Sequence, residues 1–132
     1  MTLKEISRYY ELRQRLTRYN EALLALRTAA ENITSQLDGI PPSGKPTDKV
    51  AHYGGLIAQL EADIGRNNEE LREAKETALR YIRQIDDMYL QTIFLLRFIE
   101  CLSWDDIALS MGKEEAADSI RMACYRRLDK EE

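Results

Sequence analysis

Apolar residues return every three or four positions through the first part of the chain: Tyr9, Leu12, Leu16, Tyr19, Leu23, Leu26, Ala30, Ile33 and Leu37. Alternating steps of three and four hold a stripe on one side of an α-helix, and a stripe this long predicts a seam against a second helix. The rhythm stops, then resumes at Val50, Tyr53, Ile57, Leu60 and Ile64, passes through Asn67, and runs on through Leu71, Ala74, Ala78, Tyr81 and Ile85. Asn67 has two readings: it pairs across the seam and fixes register, or it faces water at a frayed spot. Gly54, Gly55, Gly65, Asn67 and Asn68 weaken this second helix by up to about 1 kcal/mol each relative to alanine. The phase is unchanged from Leu60 and Ile64 to Leu71 and Ala74, so one continuous helix is expected.

Each helix, of about 35 residues, spans roughly 50 Å, and neither can bury its stripe alone. Between them runs DGIPPSGKPT, residues 38–47. Gly39 suits a left-handed helix end, and Pro41, Pro42 and Pro46 do not continue helical hydrogen bonding. Thr47 or Asp48 can cap the second helix. So short a loop predicts an antiparallel coiled-coil hairpin over residues 1–85, each buried Leu or Ile contributing about 1.5–3 kcal/mol before entropy. Tyr10, Leu24 and Leu56 lie just off the seam, which predicts a further partner there, most simply a second copy in a homodimer built through the hairpin.

Residues 39–45, GIPPSGK, fit seven positions of the phosphate-cradling pattern G-x-x-x-x-G-K-[ST], but Pro46 stands where a magnesium-binding hydroxyl is required. Pro41 and Pro42 also remove backbone donors, and a helix rather than a strand comes before, so the segment reads as a braced turn.

After residue 85 the pattern changes to short helices. DDMYLQTIFLLRFIE, residues 86–100, is a helix that Asp86 or Asp87 can cap, with Ile93, Leu96 and Ile99 or their neighbours inward. Ser103 caps the helix in SWDDIALSM, with Asp106 three residues on and Trp104, Ile107, Ala108 and Met111 on its buried side. Gly112 ends it. A last helix from about Glu114 to Lys130 turns Ile120, Ala123, Cys124 and Leu128 to one face. A middle helix closed by a glycine turn makes residues 86–132 a three-helix helix-turn-helix module. The fold class read from pattern is therefore all-α: a long two-helix hairpin followed by that module.

Charge complicates what the module can touch. The net charge is −4, and it is uneven: residues 1–85 hold 13 basic and 12 acidic side chains, residues 86–132 only 6 against 11. No basic excess draws the chain as a whole to phosphate. Cys101 and Cys124 lack metal-ligand spacing and read as small buried hydrophobes of a cytoplasmic protein. The charged opening MTLKEISRYY does not suit a signal peptide, and no apolar run reaches membrane-spanning length. His52 is the chain's one histidine, and the carboxylates Glu69, Glu70, Glu73 and Glu76 interleave with Arg66, Arg72, Lys75 and Arg80 as solvated i,i+4 pairs. No catalytic set, cofactor or metal site is expected.

The run from Leu95 to Leu128, above all LLRFIECLSWDDIALSMG, resembles region 4 of sigma-70-type transcription factors. There an LRY-like helix precedes a W-x-x-I-A-x-x-M-G helix and then a recognition helix. The whole chain resembles small phage and prophage proteins that join a coiled-coil N-terminal half to such a module. The resemblance implies a phage-encoded transcriptional regulator that works in the bacterial host's cytoplasm and binds promoter DNA, host RNA polymerase, or both. Lys113, Ser119, Arg121, Tyr125, Arg126 and Arg127 are the candidate DNA contacts. One departure matters: Ile120 lies eight residues after Gly112 where the family pattern has about six. With Ile120, Ala123, Cys124 and Leu128 inward, the outward side presents Glu115, Asp118, Met122 and Tyr125, flanked by Arg121 and Arg126. Carboxylates at the leading turn oppose the charge of a duplex. The alternative is an acidic protein-binding module in which Glu114, Glu115, Asp118, Met122 and Tyr125 dock on a basic host protein. That partner is the polymerase or a defence nuclease such as a CRISPR effector, with no DNA binding by the module itself.

Overall fold

The computed structural model describes residues 1–37, 44–112 and 116–129. They are helical nearly throughout, and no strand occurs among them. In order come α1 (Leu3–Ile6), α2 (Arg8–Leu37), α3 (Gly44–Ile82), α4 (Met88–Phe94), a π-helical turn (Leu95–Ile99), α5 (Trp104–Ser110) and α6 (Ala117–Asp129). No described helix is long and apolar enough to cross a membrane. The chain divides into two compact units, one of residues Met1–Arg13 and Glu70–Glu132, the other of residues Gln14–Glu69.

The first unit holds the core. Its N-terminal part begins with a helix the seam pattern does not reveal: Thr2 accepts from the Glu5 backbone N–H and Glu5 reaches back to the Thr2 N–H, a capping box that starts α1 and drives Ile6 fully inside. Ile6 and Tyr9 join Ala78, Tyr81 and Ile82 of the α3 end, Ile85 just beyond it, and the buried faces of α4 to α6 in one cluster. Phe94 and Phe98 are its largest enclosed side chains, and their ring centroids lie 5.4 Å apart. A chain of tilted and edge-on rings continues from Tyr81 through Phe94 and Phe98 to Trp104 and Tyr125. Beyond α3 the chain turns at Arg83 to Ile85, and Gln91 of α4 donates to the carbonyl of Ile82, 3.2 Å away, satisfying one of the open acceptors of the helix end. Asp87 caps α4 through the N–H groups of Tyr89 and Leu90, and Ser103 caps α5 through that of Asp106.

The expected straight helix over residues 86–100 is instead α4 followed by the π-helical turn. One extra residue per turn there changes the phase, so that Phe94, Phe98 and Ile99 all reach the core. The turn closes on Cys101 at φ 61, with the Leu102 N–H bonded back to the Leu96 carbonyl. A left-handed residue at a helix end is usually glycine, and here the wider π-type spacing carries the closing bond one residue further back than in an α-helical ending.

The second unit is built differently. Its seam residues Leu16, Tyr19, Leu23, Leu26, Tyr53, Ile57, Leu60 and Ile64 are half-buried, and no apolar side chain described in it is fully enclosed. Val50, expected in the seam, is 44% exposed, and Leu24 and Leu56 are open to solvent as their off-seam places suggest. Asn67 is 3% exposed, which favours its reading as a polar residue inside the seam. Arg27 of α2 pairs with Glu61 of α3 at 3.1 Å. The expected connector at 38–47 is shorter at its far end, since α3 already begins at Gly44; Pro46 sits in its first turn, where no intrahelical N–H bond is lost. The phosphate-loop match falls partly at residues 39–43, outside the described residues, and Gly44 and Lys45 belong to the helix.

Candidate functional site

The module of α4, the π-helical turn, α5 and α6 positions every described candidate residue. Helix α5 ends at Ser110 with Met111 as its C-cap, and Gly112 takes φ 72, with its N–H bonded to the Leu109 carbonyl at 3.1 Å. A side chain at that position meets no neighbouring atom, so the glycine is required by its left-handed backbone rather than by crowding. Helix α6 packs on α5 and on α4. Ile120, Cys124 and Leu128 are 3%, 0% and 1% exposed and form the inward face, whereas Ala123, assigned with them from spacing, is half-buried.

Cys124 sits on that face, and burial pushes its thiol up to about 12 from 9.0. A group whose folded pKa lies above its unfolded one adds stability that is complete below the unfolded value and is lost as pH rises toward the folded value. Stability should therefore be indifferent to this thiol below about pH 9. It should fall between there and about 12, by up to about 1.4 kcal/mol per pH unit. Denaturant midpoints of the parent and of Cys124→Ala across that window measure the difference in slope. Cys101 is also pushed up, by its own partial burial first, with Arg13 and Arg97 opposing.

The outward side of α6 has a mixed character. Asp118 leads it with 91% of its side chain exposed, and it holds Arg121 at 3.3 Å. Ser119 and Arg126 are exposed, and Met122 is 43% exposed. Two candidate contacts are placed otherwise. Tyr125, expected to face out, is half-buried, because the Trp104 indole takes its ring edge-on at 6.1 Å. Arg127 lies over the Tyr81 ring at 5.6 Å, on the core side of the helix. Lys113, Glu114 and Glu115 lie outside the described residues. On α5, Asp105, Asp106 and Leu109 are exposed.

Spacing gives no hint of the residue that ties the module to its base. Arg97, in the π-helical turn, lies between two aromatic faces, 4.9 Å from the Tyr10 centroid and 4.8 Å from that of Trp104, and it donates to the Leu102 carbonyl at 2.9 Å. The guanidinium plane suits this double stacking, and its hydrogen bond fixes the bend from the turn into α5. Tyr10, expected to meet a partner, is used here inside the unit instead. The sequence offers only an arginine interrupting an apolar run.

Nothing in the described residues brings together a group of three or more His, Cys, Asp or Glu side chains able to hold a metal. His52 is exposed and meets Tyr53 edge-on at 5.9 Å. Compared with protein-family models, with curated proteins and with solved structures, the chain finds no match.

Proposed function

We propose that the protein is a transcriptional regulator, a binding protein and not an enzyme. Its residues 86–132 act as a helix-turn-helix of the sigma region-4 type on promoter DNA, on RNA polymerase, or on both. The observation that carries this reading is the seating of α6: Ile120, Cys124 and Leu128 fix it to the core, behind a left-handed glycine turn, so that Asp118, Ser119, Met122 and Arg126 are turned outward as on a recognition helix. The resemblance in LLRFIECLSWDDIALSMG supports the same assignment and a phage origin. A hairpin for the long arms is supported by the Arg27–Glu61 pair, which joins two helices separated by only residues 38–43.

A second reading is favoured by the charges. Arg121 is occupied by Asp118 and Arg127 by Tyr81, which leaves Ser119 and Arg126 as the exposed described candidates for phosphate or base. Under this reading the acidic, methionine-bearing face docks on a basic protein, the polymerase itself or a nucleic-acid-handling defence enzyme.

One titration separates them. Anisotropy of a labelled random duplex should report binding that weakens with salt, and Arg126→Ala should lower the log–log salt slope by about one. Asp118→Lys should tighten the duplex several-fold, since it removes a repulsion and frees Arg121. A parent and an Asp118→Lys variant that both leave the duplex unbound at low salt would remove DNA as the target. Capture of polymerase from nuclease-treated lysate, lost in Asp118→Lys, would then establish the protein-docking role.

A further inference from the structure

The unit of residues 14–69 has a face whose own charges specify its partner. Leu56 stands 41% exposed on α3, and Lys49 and Asp63 lie one heptad to either side of it. Seven residues turn a helix through within about 20° of two full circles, so the three share one face. Tyr53 and Leu60 border that face and are only half-buried within one chain. Asp63 accepts from Gln59 at 3.2 Å and pairs with Arg66, both on its own helix.

We propose that this face pairs with a second copy of the chain, α3 running antiparallel to its symmetry mate about a two-fold axis at Leu56, so that Lys49 of each copy meets Asp63 of the other. A two-fold axis at residue 56 maps each position to the one equally far on the other side, and 49 maps to 63. Leu56 then packs on Leu56, while the contact covers the open edges of Tyr53 and Leu60. The opposite arrangement is disfavoured by the same charges. Parallel, in-register pairing sets Lys49 on Lys49 and Asp63 on Asp63, like charges at both ends of the contact. The second unit needs such a partner, because none of its described apolar side chains is fully enclosed in one chain. This pairing does not depend on what α6 binds, and it would give each particle two copies of the C-terminal module.

Sedimentation of the full chain over a wide concentration range tests it. The parent should be a dimer. Leu56→Glu should be monomeric at the same concentrations with unchanged helix content. Lys49→Glu and Asp63→Lys should each weaken self-association at least about tenfold, since each places like charges together. Mixed in equal amounts, these two single variants should recover a dimer, because Glu and Lys then meet at one end and the native-type residues at the other, Lys49 and Asp63, are again opposite in sign. A monomeric parent, a dimer untouched by Leu56→Glu, or two weakened variants that fail to recover on mixing would each overturn the pairing.

Discussion

Phe94→Ala should cost the first unit about 3–5 kcal/mol, enough to unfold a large fraction of a small domain of ordinary stability. Phe94 is fully buried, its ring centroid 6.0 Å from that of Tyr81 and 5.4 Å from that of Phe98. It links the end of α3 to the module, so the void cannot be closed by one loose side chain. The chain's single tryptophan reports the outcome, because Trp104 contacts both Phe98 and Tyr125. Urea titrations followed by its fluorescence should give a lower midpoint for the variant. Leu24→Ala, at a side chain 68% exposed in the other unit, should leave that midpoint unchanged. A Phe94→Ala midpoint close to the parent's would mean that the cluster is not the stabilising core of the unit.

That contrast also marks what the chain discloses in one dimension. Helical periodicity locates α2 and α3, and capping chemistry locates the starts of α4 and α5, since Asp87 and Ser103 do what their side chains are suited to do. The inward face of α6 follows from spacing alone, because a helix with Ile120, Cys124 and Leu128 on one side has one way to sit on a core. Less legible is everything that depends on contacts between distant segments. A regular seam of Leu and Tyr reads alike whether it is enclosed, as at Leu12 and Tyr81, or half-open, as at Leu23 and Leu60. The π-helical turn is a local change of phase, and a 3.6-residue template reads straight through it, so the template spreads Ile93, Phe94, Phe98 and Ile99 more widely round the helix than the one core they all enter. The Arg97 stack needs Tyr10 and Trp104, far apart in the chain, on either side of one guanidinium. Of the candidate contacts, spacing places Asp118 and Met122 as they lie; Tyr125 and Arg127 go astray because a wheel counts angle and takes no account of a neighbouring indole or phenol ring.

The division of α6 into an inner and an outer face predicts a second large effect. Ile120→Asp should destabilise the module by about 3 kcal/mol or more, because a carboxylate at a site 3% exposed among apolar groups has no partner to offset its lost hydration. Met122→Asp, two residues on and 43% exposed, should change stability by no more than about 0.5 kcal/mol. The pair should separate again in binding. Met122→Asp keeps the fold and so reports only on whatever meets the outer face, weakening duplex binding by added repulsion or weakening a protein contact by loss of the methionine surface. Ile120→Asp should abolish either interaction together with the Trp104 fluorescence of the folded module, since Trp104 and Tyr125 are held edge-on by the packing that Ile120 anchors. If Met122→Asp proved the more destabilising of the two, the outer face would be the buried one, and neither a duplex nor a basic protein could use it.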